Sequence, residues 1–302
     1  MASTPTSARD PDTSGFIPIR LVTLNIRFAI NNPAPGEERW PVRCPKLCAQ
    51  LKFIASGQES PFVCLQEVLH PQLVDIREQL GQSWSYIGQG REDGKEGGEY
   101  CPIFFRSDRW VCEHSTTYWL SETPDRPSKG WDADNMRIVT VGSFRHRATG
   151  TAIVVMNTHL DYRGAVAREE GARLLLLLAK LWPGQQRPDD ARPPLFLGGD
   201  FNSTPADSAY DILTSPGSGM RDISDLVPDN SKYGNPDTTY TSFGEPGERQ
   251  RRIDFLFVRN PPGNLRFLTF SILSNRFDDG VYLSDHRPVV ADLEIPVART
   301  DD

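Results

Sequence analysis

Residues 138–159 read IVTVGSFRHRATGTAIVVMNTH. Two runs rich in β-branched and apolar residues, Ile138–Arg145 and Thr151–His159, are split by a short polar gap. Strands that follow each other so directly favour antiparallel pairing, because parallel neighbours need a crossover of a dozen residues or more. Tyr100–Arg106 and Trp110–Leu120 repeat the pattern, which argues against a doubly wound parallel sheet. Working outward, strand-like runs recur at Ile17–Asn25, Phe62–Glu67, Pro194–Asp200, Ile253–Val258, Leu265–Leu273 and Pro288–Leu293. Helical spacing marks Arg43–Ser56, Pro71–Leu80, Gly164–Trp182 and Pro205–Leu213. The expected fold class is α/β (α+β): two packed, mixed or antiparallel sheets with helices outside.

The 302 residues show no solenoid repeat and no Pro/Ser-rich linker in the middle. They are therefore read as one domain over 15–298, with tails at 1–14 and 299–302. Hydrophobic residues make up 38%, enough for a core and too many for a disordered chain. The longest apolar run, Leu174–Leu178, is too short to cross a bilayer, so no membrane contact is expected. Met1–Gly15 lacks a signal-like apolar stretch, which sets the expectation of a cytoplasmic or nuclear monomer. A formal net charge of −7 disfavours nucleic-acid binding by bulk charge. Clustered carboxylates suit a cation site instead. The five cysteines have no C-x-x-C spacing and are read as buried, reduced thiols.

The chemistry sits where apolar strands end. Five segments finish in Asn25, Glu67, His159, Asp200 and Asp285-His286. A run buried along its length brings its last polar residue to the sheet rim, and several such ends converging would make a concave polar site. Asp200 and Asn202, two apart, face the same way on extended backbone. Their oxygens suit Mg²⁺ or Mn²⁺, and together they could hold an attacking water. His159 and His286 are candidate acid/base groups, and Asp254 and Glu99 are candidates to orient them.

Six segments in order, Leu24-Asn25, Leu65-Gln66-Glu67, Asn157-Thr158-His159-Leu160-Asp161, Gly199-Asp200-Phe201-Asn202, Arg252-Ile253-Asp254 and Ser284-Asp285-His286, resemble the endonuclease/exonuclease/phosphatase superfamily. The resemblance covers about 280 residues. It implies a DNase I-like four-layer α/β sandwich and hydrolysis of phosphoesters with Mg²⁺ or Mn²⁺. It casts Asn25, Glu67 and Asp285 as metal ligands, and Asp200 and Asn202 as the residues that position water. By the same resemblance His286, oriented by Asp254, contacts the scissile phosphate, and His159 is paired with Glu99. Arg137 matches a phosphate-facing position, while Asp161 has a less defined role.

The segments Gln89–Gly98 and Ser121–Asn135 read as rim loops that set the substrate. In the second, Lys129 and Trp131 are candidates for holding a phosphate and stacking on a base or sugar, and a structural Trp fits equally well. The two imidazole–carboxylate pairs favour a phosphodiesterase cleaving DNA, with RNA also open. The acidic chain and compact length favour the alternative, a phosphomonoesterase for a small sugar phosphate. A non-catalytic binding module on the same fold is the third reading.

Overall fold

The computed structural model describes residues 15–182, 192–259 and 264–297. The tails expected at 1–14 and 299–302 lie outside the described residues. In chain order the elements are β1 (Phe16–Asn25), α1 (Trp40–Ala55), β2 (Pro61–Gln66), α2 (His70–Leu80), β3 (Trp84–Ile87), β4 (Ile103–Arg106) and β5 (Trp110–Trp119). There follow β6 (Ile138–His146), β7 (Ala152–His159), α3 (Ala165–Leu181), β8 (Leu195–Asp200), α4 (Ser208–Thr214), β9 (Met220–Asp222) and β10 (Lys232–Gly234). The last are β11 (Asp254–Arg259), β12 (Arg266–Ile272) and β13 (Val289–Pro296).

One sheet runs β10-β12-β13-β1-β2-β4-β3 and the other β5-β6-β7-β8-β11-β9. As the short gap predicts, β6 and β7 pair antiparallel. The parallel pairs β1–β2 and β7–β8 are each joined through a helix, α1 and α3. The period of two decides which layer each side chain joins. In β2, Phe62 and Cys64 point to the other sheet, where they meet Phe144, Val155 and Phe196. Val63 and Leu65 point outward to Leu47, Leu51 and Leu73 of α1 and α2. On the second sheet Val154 and Met156 of β7 face Leu175 and Leu178 of α3. The result is four layers, helix–sheet–sheet–helix, with the central strands buried on both faces. That double burial explains why their sequences run apolar without alternation.

A polar tie crosses the sheets just below the rim. Asn157 of β7 donates to the carbonyls of Leu65 (2.7 Å) and Pro102 (2.8 Å), and accepts from Gln66 Nε2 (2.7 Å). Helix α1 begins at Trp40, three residues before the sequence reading has it. Pro41 sits in the first turn, where a missing N–H costs nothing. One expectation is corrected. Cys112 is half-buried, whereas the other four thiols are buried. His146 is 8% exposed, packs against Trp110 and bonds Thr149 Oγ1 at 3.0 Å. No described helix is long and apolar enough to cross a membrane.

Candidate active site

The strand register builds the centre. Asp200 ends β8, with His159 of β7 opposite it on one side and Asp254 of β11 on the other. All three are buried. Across the gap between sheets, Asn25 ends β1, and its Nδ2 donates to Asp200 Oδ2 (3.0 Å) and to Glu67 Oε1 (3.0 Å). Asp285 and His286 arrive on the segment before β13. Ser284 anchors it by donating from Oγ to the Asn25 carbonyl at 2.6 Å.

His286 Nδ1 lies 2.8 Å from Asp254 Oδ2, and its Nε2 is 3.7 Å from Asp200 Oδ2. Burial opposes charge on this ring, but the carboxylates of Asp254 and Asp200 outweigh it and hold the imidazolium up to about 10. Burial, and then Asp254, push the Asp200 carboxyl up to about 7, into the range of a general base. Asp200, Asp254 and His286 lie close enough to hold an ion together. The short His286–Asp254 hydrogen bond orients the ring, as a buried carboxylate orients an imidazole. Asp200 Oδ1 accepts the backbone N–H of Asn202 at 2.9 Å.

Glu67 and Asp285 form a second acidic group. Burial and the nearby Glu67 raise the Asp285 carboxyl, while His286 opposes the shift. Arg27 approaches Glu67 at 4.0 Å and Glu37 at 3.4 Å. These hard oxygen donors, crowded with excess negative charge, fit a Mg²⁺- or Mn²⁺-like cation. Glu67 and Asn202 both carry positive φ, 59° and 45°. Such strain in non-glycine residues concentrates at functional positions.

Not every expected residue has the expected partner. Glu99 is bonded to Arg91 at 2.8 Å, and no hydrogen bond joins it to His159. A guanidinium eight residues back in the Gly-rich loop outcompetes a neutral ring for the carboxylate. Burial and Glu67 still push Glu99 up to about 7. Arg137 is buried and bonded to Asp161 at 3.2 Å. Lys129 is exposed, and Trp131 is half-exposed with φ 46°.

Asp161 acquires a clear task. Its oxygens accept the backbone N–H groups of Asp134, Asn135, Arg163 and Gly164, besides Arg137 Nε. Burial opposes ionisation, yet these donors hold the carboxyl down to about 2. Its stabilising effect is therefore present above the ordinary carboxylate value and is lost as pH falls through about 2. Asp161→Ala strands several buried donors. It is expected to cost about 3 kcal/mol, a Tm lower by roughly 5 °C at pH 7, read by calorimetry.

Three further contributors carry no motif in the sequence. Arg91 holds Glu99. Thr239 Oγ1 accepts from the N–H groups of Ile253 and Asp254, at 2.9 and 3.1 Å. Tyr240 sets its ring edge-on to His286, centroids 5.1 Å apart. Tyr240 follows Thr238 and Thr239 in a loop whose sequence carries no periodicity to mark it.

A four-layer sandwich with carboxylates and imidazoles gathered at one rim defines a class of hydrolytic proteins. The chain belongs to the Endonuclease/Exonuclease/phosphatase family, whose pattern matches residues 22–286 and whose members are phosphoester hydrolases. It is similar to the crystal structure of an endonuclease/exonuclease/phosphatase from Bacteroides vulgatus, with 34% identity and TM-score 0.79, covering 92% of this chain and 99% of that one. A mannosyl-6-phosphatase from Bacteroides thetaiotaomicron is similar at 29% identity and TM-score 0.79, covering 91% and 99%. The CCR4-Not complex 3'-5'-exoribonuclease subunit Ccr4 of Aspergillus oryzae is 26% identical over 231 residues, 58% of this chain and 30% of that protein. The chain thus spans about a third of the length of the first curated relatives it matches.

Proposed function

We infer that the chain is a Mg²⁺- or Mn²⁺-dependent phosphomonoesterase acting on a small phosphorylated metabolite of the sugar-phosphate kind. The observation that carries this reading is that five arginines around the site, among the described residues, are already paired with acids. Arg27 faces Glu37 and Glu67, Arg91 faces Glu99, Arg137 faces Asp161, Arg163 faces Asp134, and Arg251 faces Glu248. A phosphate backbone is gripped by uncommitted cations spaced along a track. The similarity to the mannosyl-6-phosphatase, over nearly the whole of both chains, supports the same substrate class. The Glu99–His159 pair that favours a DNA nuclease in the sequence is replaced by Glu99–Arg91. A ribonuclease remains the second reading, favoured by the similarity to Ccr4.

In this reading Asp200 takes a proton from water as the water oxygen attacks phosphorus in line, with Asn202 aligning that water. The ester P–O bond opposite breaks, its electron pair stays on the leaving oxygen, and that oxygen takes a proton from solvent to leave as the alcohol; Asp200 returns its proton to solvent and inorganic phosphate is released. His286, charged and held by Asp254, donates from Nε2 to a phosphoryl oxygen as negative charge builds there. Glu67, Asp285 and Asn25 would hold the divalent cation, which when bound supplies Lewis-acid stabilisation of that charge. The test is one purified sample with a panel of sugar phosphates, supercoiled plasmid and single-stranded RNA, each in Mg²⁺, Mn²⁺ or EDTA. Phosphate release from a sugar phosphate, abolished by EDTA, with plasmid and RNA intact, is expected. Cleavage of either nucleic acid with every sugar phosphate untouched overturns the reading.

A further inference from the structure

The orientation of Asn202 follows from one unambiguous contact. Its Nδ2 lies 3.0 Å from the carbonyl of Leu160, an atom that only accepts, so the NH₂ end of the amide points there. The same nitrogen lies 3.0 Å from His159 Nε2. That ring nitrogen must be the accepting one, and a neutral imidazole that accepts at Nε2 carries its proton on Nδ1. The opposite tautomer would aim an Nε2–H at the Asn202 NH₂. Its other neighbour, Asp200 Oδ2 at 3.4 Å, already accepts from Asn25. Burial, with the guanidinium groups of Arg137 and Arg91, holds the His159 pKa well below its ordinary value, so the ring is neutral at pH 7.

His159 Nδ1 is buried, and no described group accepts its hydrogen. His159 helps to line a cavity of about 10 Å³, together with Arg91, Glu99, Cys101, Met136, Arg137 and Ile138. Guanidinium groups only donate, so Glu99 supplies the strong accepting oxygens among these side chains. The volume is that of a single water, and a buried donor left unmatched costs about 1–3 kcal/mol.

We propose that one internal water in this cavity accepts from His159 Nδ1–H and donates to Glu99, fixing His159 in the Nδ1–H tautomer that orients Asn202. With its NH₂ held by Leu160 and His159, Asn202 keeps Oδ1 for the attacking water. This inference rests on the reading of Asn202 as the residue that aligns that water. His159 and Glu99 are positioning residues here, and Arg91 fixes Glu99 from 2.8 Å. The relay replaces a direct imidazole–carboxylate pair.

Nitrogen-15 NMR of the full chain, labelled at histidine and recorded between about pH 6 and 8, tests the tautomer without any substrate. His159 is expected to show a protonated Nδ1 and a bare Nε2. Glu99→Gln retains an accepting oxygen and should preserve both the tautomer and most of the rate. Glu99→Leu should mix the tautomers and lower kcat by about 10–100-fold with KM unchanged, the size of effect typical of residues that orient a ligand from behind. A wild-type ring protonated at Nε2 overturns the proposal. So does a Glu99→Leu protein that keeps either the wild-type tautomer or the wild-type kcat. A chain that hydrolyses no sugar phosphate sinks the functional reading alone, since the NMR outcome stands without turnover.

Discussion

His286→Ala is expected to lower kcat by about 10²–10³-fold or more and to destabilise the fold as well. The kinetic loss follows from removing a charged donor aimed at the phosphoryl oxygens. The stability loss follows from what remains. Asp254 and Asp200 lie on adjacent strands in the same register, both buried, and the imidazolium between them is their shared counter-charge. Breaking a buried ion pair from one side costs about 3–5 kcal/mol, because the surviving charge has no partner. A double variant, His286→Ala with Asp254→Leu, removes the stranded carboxylate and should recover much of the lost Tm. It should recover none of the rate. Kinetics and calorimetry on the two proteins separate the roles. A His286→Ala protein with wild-type turnover would remove the dyad from the mechanism.

Glu67→Ala is expected to abolish metal-dependent turnover and, with it, the thermal shift that the metal produces. At a free concentration about a hundredfold above Kd, a ligand that binds only the folded state adds about 2.7 kcal/mol. For a chain of this size that is roughly 4 °C in Tm. Wild-type protein should show this shift on adding Mn²⁺ after EDTA treatment. Glu67→Ala should lose the shift while its metal-free Tm stays close to wild type, since among the described residues Glu67 accepts two hydrogen bonds, from Phe28 N and Asn25 Nδ2, and meets the half-exposed Arg27 at 4.0 Å. An undiminished Mn²⁺ shift in the variant would place the cation elsewhere.

The sandwich was legible because its central strands are buried on both faces, so their apolar runs are long and end abruptly in polar residues. Asn25, Asp200 and His159 occupy such ends, and register alone brings them together. What stayed hidden depends on contacts without a period. Strands β3, β9 and β10 are three or four residues long, too short to show alternation. The partner of Glu99 is an arginine on a loop built from glycines, and its position is set by loop closure: Gly90 N–H donates to the Lys95 carbonyl and Glu92 N–H to that of Gly97. The task of Asp161 arises from four backbone N–H groups on two separate turns, which leave no mark in side-chain spacing.

His159, Asp200 and Asp254 stand side by side on three neighbouring strands, and slipping any of those strands by one residue would turn its apolar set the wrong way. These three side chains are thus welded to the most change-resistant part of the chain, while residues 89–98 and 121–135 are attached outside it. New substrate preferences can therefore arise by exchanging those outer segments wholesale between relatives. A chimera carrying a relative's two rim loops should inherit that relative's appetite while keeping this chain's own strand-end residues.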